Sequence, residues 1–274
     1  MPKNKISFSK TKVYDYFEHL HDDKIIELLS KKRYDAEIKG DKLFVDIPPY
    51  RSDIMHPVDV IEDIIIAFGI NNVELAELTA HTTGSLTEKT EWHNLVREAT
   101  MGCGLQEVMT FTLTSKDKQY TKLLYLKEPV EIANPMSKNI AIFREKIFPE
   151  HLEMLSKNQH ISYPQNIFEV GRVVELNKGS ADEKNRLTCT LCFNKVTLTH
   201  IQGILNSILG NIGAKNIKIL EKSYPWFLEG RSGEIQFELN GVKCKGYFGE
   251  VHPQVLHNFN LEMPCALFEI GIDK

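Results

Sequence analysis

The sequence predicts an α+β fold in two parts, a small helical α+β unit followed by an antiparallel sheet flanked by helices, and three observations lead to it. Short apolar runs of strand length meet at hairpin dipeptides, Gly40-Asp41 and Asn240-Gly241. Stretches with apolar residues at helical spacing interrupt these runs. Between the two parts the succession Thr79, His81, Thr82, Thr83, Gly84 breaks both patterns. The 274 residues suit two domains at about 150 residues each, taken as 1–78 and 79–274.

In the first part, Ser9 is placed to cap a helix over 10–20, and Asp22-Asp23 to open one over 24–33 with Ile25, Leu28 and Leu29 on one face. Residues 34–39 and 42–47 form the hairpin, and Pro48-Pro49 ends it. Pro57 suits the first turn of a helix, where its missing N–H costs nothing, and Gly69 supplies the stop near Phe68. In the second part a helix is expected over 87–103, carrying Trp92, Leu95, Val96 and Ala99. Strand-like runs follow at 107–114, 130–133, 166–175, 187–193, 234–239, 242–248 and 266–272, with helices at 145–159, 198–209 and 253–259. Strands joined by hairpins with a few inserted helices suggest an antiparallel sheet with the helices on one side.

Composition excludes several classes of function. The formal charge is −4, from 33 basic and 37 acidic residues, so the excess of cations that grips polyphosphate by counterion release is missing. The first 75 residues carry eleven basic against fourteen acidic side chains, which leaves this helical unit without a basic recognition face. No apolar run approaches the roughly eighteen residues of a membrane span, and Met1-Pro-Lys-Asn-Lys lacks a signal core. A cytoplasmic protein with no membrane partner is expected. Five cysteines at irregular spacing fit buried, reduced thiols.

Three constellations bear on chemistry. Asp59, Glu62 and Asp63 stand at i, i+3 and i+4 of the helix from Pro57, with Asp53 just upstream. Carboxylates so spaced share one face and repel, which a hard divalent cation such as Mg²⁺ or Ca²⁺ would offset. The alternative is that acids in a first turn complement the helix dipole and are solvated. Cys189 and Cys192 make a lone CxxC in a strand-like segment and read as core, not zinc. Residues 225–233, with Trp226, Phe227 and Arg231 among glycines, read equally as a docking surface or as a tight turn.

Five stretches, PPYRSDIMHPVDVIEDIIIAFGINN (48–72), IANPMSKNIAIFREKIFPEHLEML (132–155), NIFEVGRVV (166–174), PWFLEGRSGEI (225–235) and GYFGEVHPQVLHNFNLEMPCALFEI (246–270), together resemble the C-terminal part of the phenylalanyl-tRNA synthetase β subunit of archaeal and eukaryotic type. The resemblance implies a winged-helix-like first domain and a catalytic-like module with the class II synthetase fold and no active site. It implies that Asp53, Asp59, Glu62 and Asp63 serve an Mg²⁺ shared with the catalytic α subunit, that ATP is used by that subunit, and that the partners are α in an (αβ)₂ heterotetramer and tRNA(Phe). Relatives carry N-terminal editing domains that do not precede the helical unit here, so proofreading is expected to be absent.

No catalytic residue is expected in this chain. Class II enzymes neutralise the ATP phosphates with two arginines. Phe143-Arg144-Glu145-Lys146 has Lys146 where an FRxE-like motif needs glutamate, and Gly230-Arg231 lacks the rest of the second motif. The expectation is a scaffolding subunit of phenylalanine-tRNA ligase. The competing reading is an independent nucleic-acid-binding or interaction module.

Overall fold

The computed structural model describes residues 4–17, 20–74 and 82–273. The chain divides into two units, Met1–Gly84 and Ser85–Lys274. The expected 78/79 boundary lies outside the described residues.

In the first unit, β1 (Asn4–Ser9), α1 (Thr11–Tyr14), α2 (Asp22–Lys31), β2 (Asp35–Lys39), β3 (Lys42–Ile47) and α3 (Pro57–Phe68) follow in order. The sheet order is β1-β3-β2, antiparallel throughout, and Lys39 pairs with Lys42 across the expected two-residue turn. Gly40 takes φ +63° there, a conformation that costs glycine little. Leu43 and Val45 of β3 point into a core filled by Ile25, Leu28 and Leu29 of α2 and by Val60, Ile61 and Ile64 of α3. The expected helix over 10–20 is corrected: among the described residues of that stretch only Thr11–Tyr14 is helical, and residues 4–9, to which the sequence assigned no element of their own, pair with β3 from Asn4↔Ile47 to Ser9↔Lys42. Ile6 and Phe8 alternate with Lys5 and Ser7, so period-2 patterning wins over local helix propensity once β3 offers an edge.

The second unit contains α4 (Glu88–Met101), β4 (Gln106–Glu107), β5 (Leu113–Thr114), α5 (Lys116–Gln119), β6 (Ile142–Phe143), α6 (Phe148–Lys157), β7 (Gln165–Asn177), β8 (Ser180–Cys192), α7 (Leu198–Asn211), β9 (Lys215–Glu221), β10 (Phe227–Leu239), β11 (Val242–Val251), α8 (Pro253–Asn258) and β12 (Cys265–Gly271). Seven strands form one sheet, β4-β7-β8-β12-β11-β10-β9. It is mixed, because β4 pairs with β7 in parallel, while every other pairing is antiparallel.

Helices cover both faces, not one. Phe168, Leu187, Cys189, Phe268 and Phe248 pack with Trp92 and Val96 of α4 and Ile201 and Leu205 of α7. Ile167, Cys192 and Leu267, of opposite parity along the same strands, pack with Phe148 and Leu152 of α6 and Val255 of α8. The CxxC is therefore split between two cores, since a spacing of three along a strand sends side chains to opposite faces. Residues 107–114 and 130–133 are largely irregular, and β9 had no signal in the sequence. Trp226 and Phe227, read as exposed, are buried in the α6-side core where β10 shifts register before Ser232.

Candidate functional site

The acidic motif of the first unit is assembled by the chain reversal after β3 and by the start of α3. Pro57 opens the helix, and His56 caps it by accepting from the Val58 amide. Asp59 closes the capping box: its Oδ2 accepts the amides of Met55 at 2.8 Å and His56 at 2.7 Å, which hold its carboxyl below the usual range. Asp63, one turn along, faces inward. Tyr34 donates to its Oδ2 at 2.6 Å, Arg51 Nη2 lies 2.9 Å from the same oxygen, and Lys32 Nζ is 3.3 Å from Oδ1. Burial alone would raise the Asp63 carboxyl; these three donors bring it below its ordinary value. Arg51 also chelates Asp53, with Nε 2.9 Å from Oδ1 and Nη2 2.7 Å from Oδ2. Glu62 is exposed on the same helix.

The four carboxylates thus divide their work in the free chain. Asp53 and Asp63 share Arg51, Asp59 caps α3, and Glu62 meets solvent. Among the described residues no three His, Cys, Asp or Glu side chains are grouped as a metal ion requires. The all-oxygen chemistry suits a hard cation, but the set as it stands does not fit one, because Arg51 and Lys32 already engage Asp53 and Asp63 while the Met55 and His56 amides engage Asp59. Tyr34, Lys32 and Arg51 escaped the sequence reading; only the nearness of Arg51 to Asp53 in the chain hinted at one of them.

In the second unit, Arg144 of the FRxE-like segment is turned into the protein. Its Nε donates to the Arg172 carbonyl at 2.8 Å, Nη1 to Thr110 Oγ1 at 2.7 Å and Nη2 to Glu169 Oε1 at 2.7 Å. All three nitrogens are committed, and the side chain is 2% exposed, so it presents nothing to a phosphate. Gly171 is required here, because a Cβ at that position would collide with the Arg144 guanidinium and the Glu169 carboxylate. Arg231 stands elsewhere, exposed at the irregular start of β10, with Nη1 3.9 Å from Glu250.

Residues 109–140 of the second unit expose large apolar side chains: Met109 is 87% exposed, Phe111 84%, Leu126 87% and Met136 95%. Scattered apolar surface is ordinary; four side chains exposed to this degree between residues 109 and 136 make this segment a candidate contact surface.

The profile described as "Phenylalanyl tRNA synthetase beta chain CLM domain" matches residues 76–272, and that of the "tRNA synthetase B5 domain" matches residues 6–70. The chain belongs to the phenylalanyl-tRNA synthetase β-chain family. Phenylalanine–tRNA ligase β subunits of Thermococcus sibiricus and Pyrococcus abyssi are 40% and 38% identical to it over 255 residues, covering 92% of this chain and 45% of each relative. That of Methanocella arvoryzae is 37% identical and covers 86% of this chain and 43% of the relative. The chain therefore spans less than half the length of these relatives.

In fold, a pyrrolysyl-tRNA synthetase from Desulfitobacterium hafniense superposes with a TM-score of 0.52 at 13% identity, over 67% of this chain and 66% of that one. This supports the class II synthetase-like architecture. Within the β-chain family frame, the Arg51–Asp63 cluster lies in the B5 match, and both Arg144 and the exposed apolar segment lie in the CLM match. No helix among the described residues is long and apolar enough to cross a membrane.

Proposed function

We propose that the chain acts as a non-catalytic part of the β subunit of phenylalanine-tRNA ligase. In the cytoplasm it assembles with the catalytic α subunit into an (αβ)₂ heterotetramer that uses ATP to charge tRNA(Phe). The observation that carries this reading is the exposed apolar segment, Met109, Phe111, Leu126 and Met136, which a subunit working by assembly would cover. The commitment of Arg144 to Glu169 agrees with it, since adenylation needs a cation free to meet phosphate. Light scattering of the chain mixed with its α subunit tests the proposal: one species containing both is expected, and two separate species would overturn it. ATP–pyrophosphate exchange should need α.

Magnesium belongs to this proposal in the assembled complex alone. There Asp53, Asp59, Glu62 and Asp63 would gain oxygens from the second chain, while Arg51 gives up part of its hold on them. The alternative, a nucleic-acid-binding module built on a winged-helix-like first unit, is disfavoured by that unit's acidic balance. Its test is a gel-shift series in salt, where binding by the chain alone at low salt would favour it.

A further inference from the structure

The α6-side face of the large sheet carries a polar row. Glu169, Thr188, Glu269, Tyr247 and Glu234 are successive register partners across β7, β8, β12, β11 and β10. Glu169, Thr188 and Glu269 are buried, and buried carboxylates need cations or donors. One short segment of the chain supplies half of the hydrogen bonds to Glu169 and Glu269, the others coming from Thr110 and Thr188. Arg144 pairs with Glu169, and the amides of Ile147 and Phe148 donate to Glu269 Oε2 at 2.8 and 3.2 Å.

Between these contacts Lys146 runs inward, 5% exposed. Its Nζ stands 4.8 Å from the ring centre of Tyr125, 5.3 Å from that of Trp226 and 5.7 Å from that of Tyr120. Glu145 Oε2 is 3.5 Å away, and the charge of Glu269 acts on the same ammonium. Burial is the stronger influence and lowers the Lys146 pKa from its ordinary value, while the two carboxylates oppose it. Five buried polar atoms in this neighbourhood make no hydrogen bond: Lys146 Nζ, Glu269 Oε1, Tyr247 Oη, Trp226 Nε1 and Nε of Arg186, whose charge also acts on Glu269 and Tyr247. Aromatic faces with a carboxylate close by are the surroundings in which proteins hold alkylammonium groups.

We propose that this face of the sheet is a binding site for a primary ammonium, and that the chain fills it with its own Lys146, the segment Arg144–Phe148 lying on the polar row as a tethered ligand. The site accounts for a feature that assembly with a partner leaves unexplained, the placing of a lysine inside an aromatic chamber. It also shuts the sheet face to any outside substrate. The inference does not depend on the assembly reading, and it is tested on the isolated chain.

Two variants test it by thermal unfolding. Lys146→Met keeps the volume of the side chain and removes the charge, so a lower midpoint than the parent is expected, because Glu269 and Glu145 lose one of their cations and are left with Arg186 and Lys127. Lys146→Ala opens the chamber. n-Propylammonium chloride should raise the midpoint of Lys146→Ala with concentration, as a ligand specific to the folded state must. The parent should not respond, and neither sodium chloride at equal ionic strength nor 1-propanol should reproduce the effect. A Met variant at least as stable as the parent would overturn the proposal, and so would an Ala variant indifferent to propylammonium. If the Ala variant fails to fold, the Met variant decides alone.

Discussion

Arg144 and Glu169 meet at 2.7 Å with 2% and 3% of their side chains exposed, a charge pair enclosed within the second unit. Burial alone would raise the Glu169 carboxyl, but the His151 ring 3.7 Å away, the charge of Arg144 and the hydrogen bonds donated by Arg144 and Thr110 hold it below its ordinary range. Breaking such a pair strands one charge, whereas replacing both partners removes the problem. Arg144→Met is therefore expected to cost about 3–5 kcal/mol in urea unfolding. Arg144→Met combined with Glu169→Leu should recover most of the loss. Equal destabilisation by the single and double variants would show that packing, not charge, is what Arg144 contributes.

Asp63 makes the first unit sensitive to acid. Its folded-state pKa is lowered from an ordinary 3.8, so its contribution is complete above that value and is lost as pH falls through the lower, folded one. The stability of the parent should therefore fall on acidification below about pH 4. Asp63→Asn, less stable at neutral pH, should show a shallower fall. Parallel stability–pH curves for the two proteins would remove Asp63 from the account.

Tyr34→Phe deletes the 2.6 Å hydrogen bond to the same carboxylate and little else. A bond to a charged acceptor is worth about 1.5–3 kcal/mol, so a loss of that size is expected in chemical unfolding at pH 7. A loss within about 0.5 kcal/mol, the range of ordinary surface changes, would show that Arg51 and Lys32 hold Asp63 without it.

Much of the scaffold was legible because its signals are local. Pro57 and Gly69 bracket α3 by their own backbone chemistry, and Asn240-Gly241 joins β10 to β11 with positive φ at both residues. What escaped depends on partners distant in sequence. The alternation in Ile6 and Phe8 becomes a strand through pairing with β3, and β9 is exposed along its whole length, so no buried face marked it. Trp226 looked like surface beside its glycines, and only the irregular entry into β10 turns it inward.

The sites followed the same rule. The spacing of Asp59, Glu62 and Asp63 was visible, while the engagement of Asp63 by Tyr34 and Lys32 required the connection between α2 and β2 to lie against α3. Arg144 could be read as a failed motif, yet its engagement by Glu169, 25 residues on, belongs to the sheet.

The exposed segment separates folding from assembly. Phe111→Glu with Met136→Glu changes two side chains that are 84% and 95% exposed, so stability of the isolated chain should move by no more than about 0.5 kcal/mol. Co-purification with the α subunit should be lost. Retention of the complex with both charges in place would move the interface elsewhere on the molecule.

Asp59 caps α3 in the free chain, and the proposal that it also holds a cation in the complex can be told apart from capping by two substitutions. Asp59→Ala removes the acceptor for the Met55 and His56 amides and should cost about 0.5–2 kcal/mol with or without a partner, as lost caps do. Asp59→Asn keeps an acceptor oxygen and removes the charge, so the isolated chain should stay near parental stability. If magnesium is held at this motif once α is present, the Asn variant should bind it more weakly in calorimetric titration of the complex. Parental magnesium affinity in the Asn complex, beside a destabilised Ala chain, would leave Asp59 with its capping role alone and take the cation away from it.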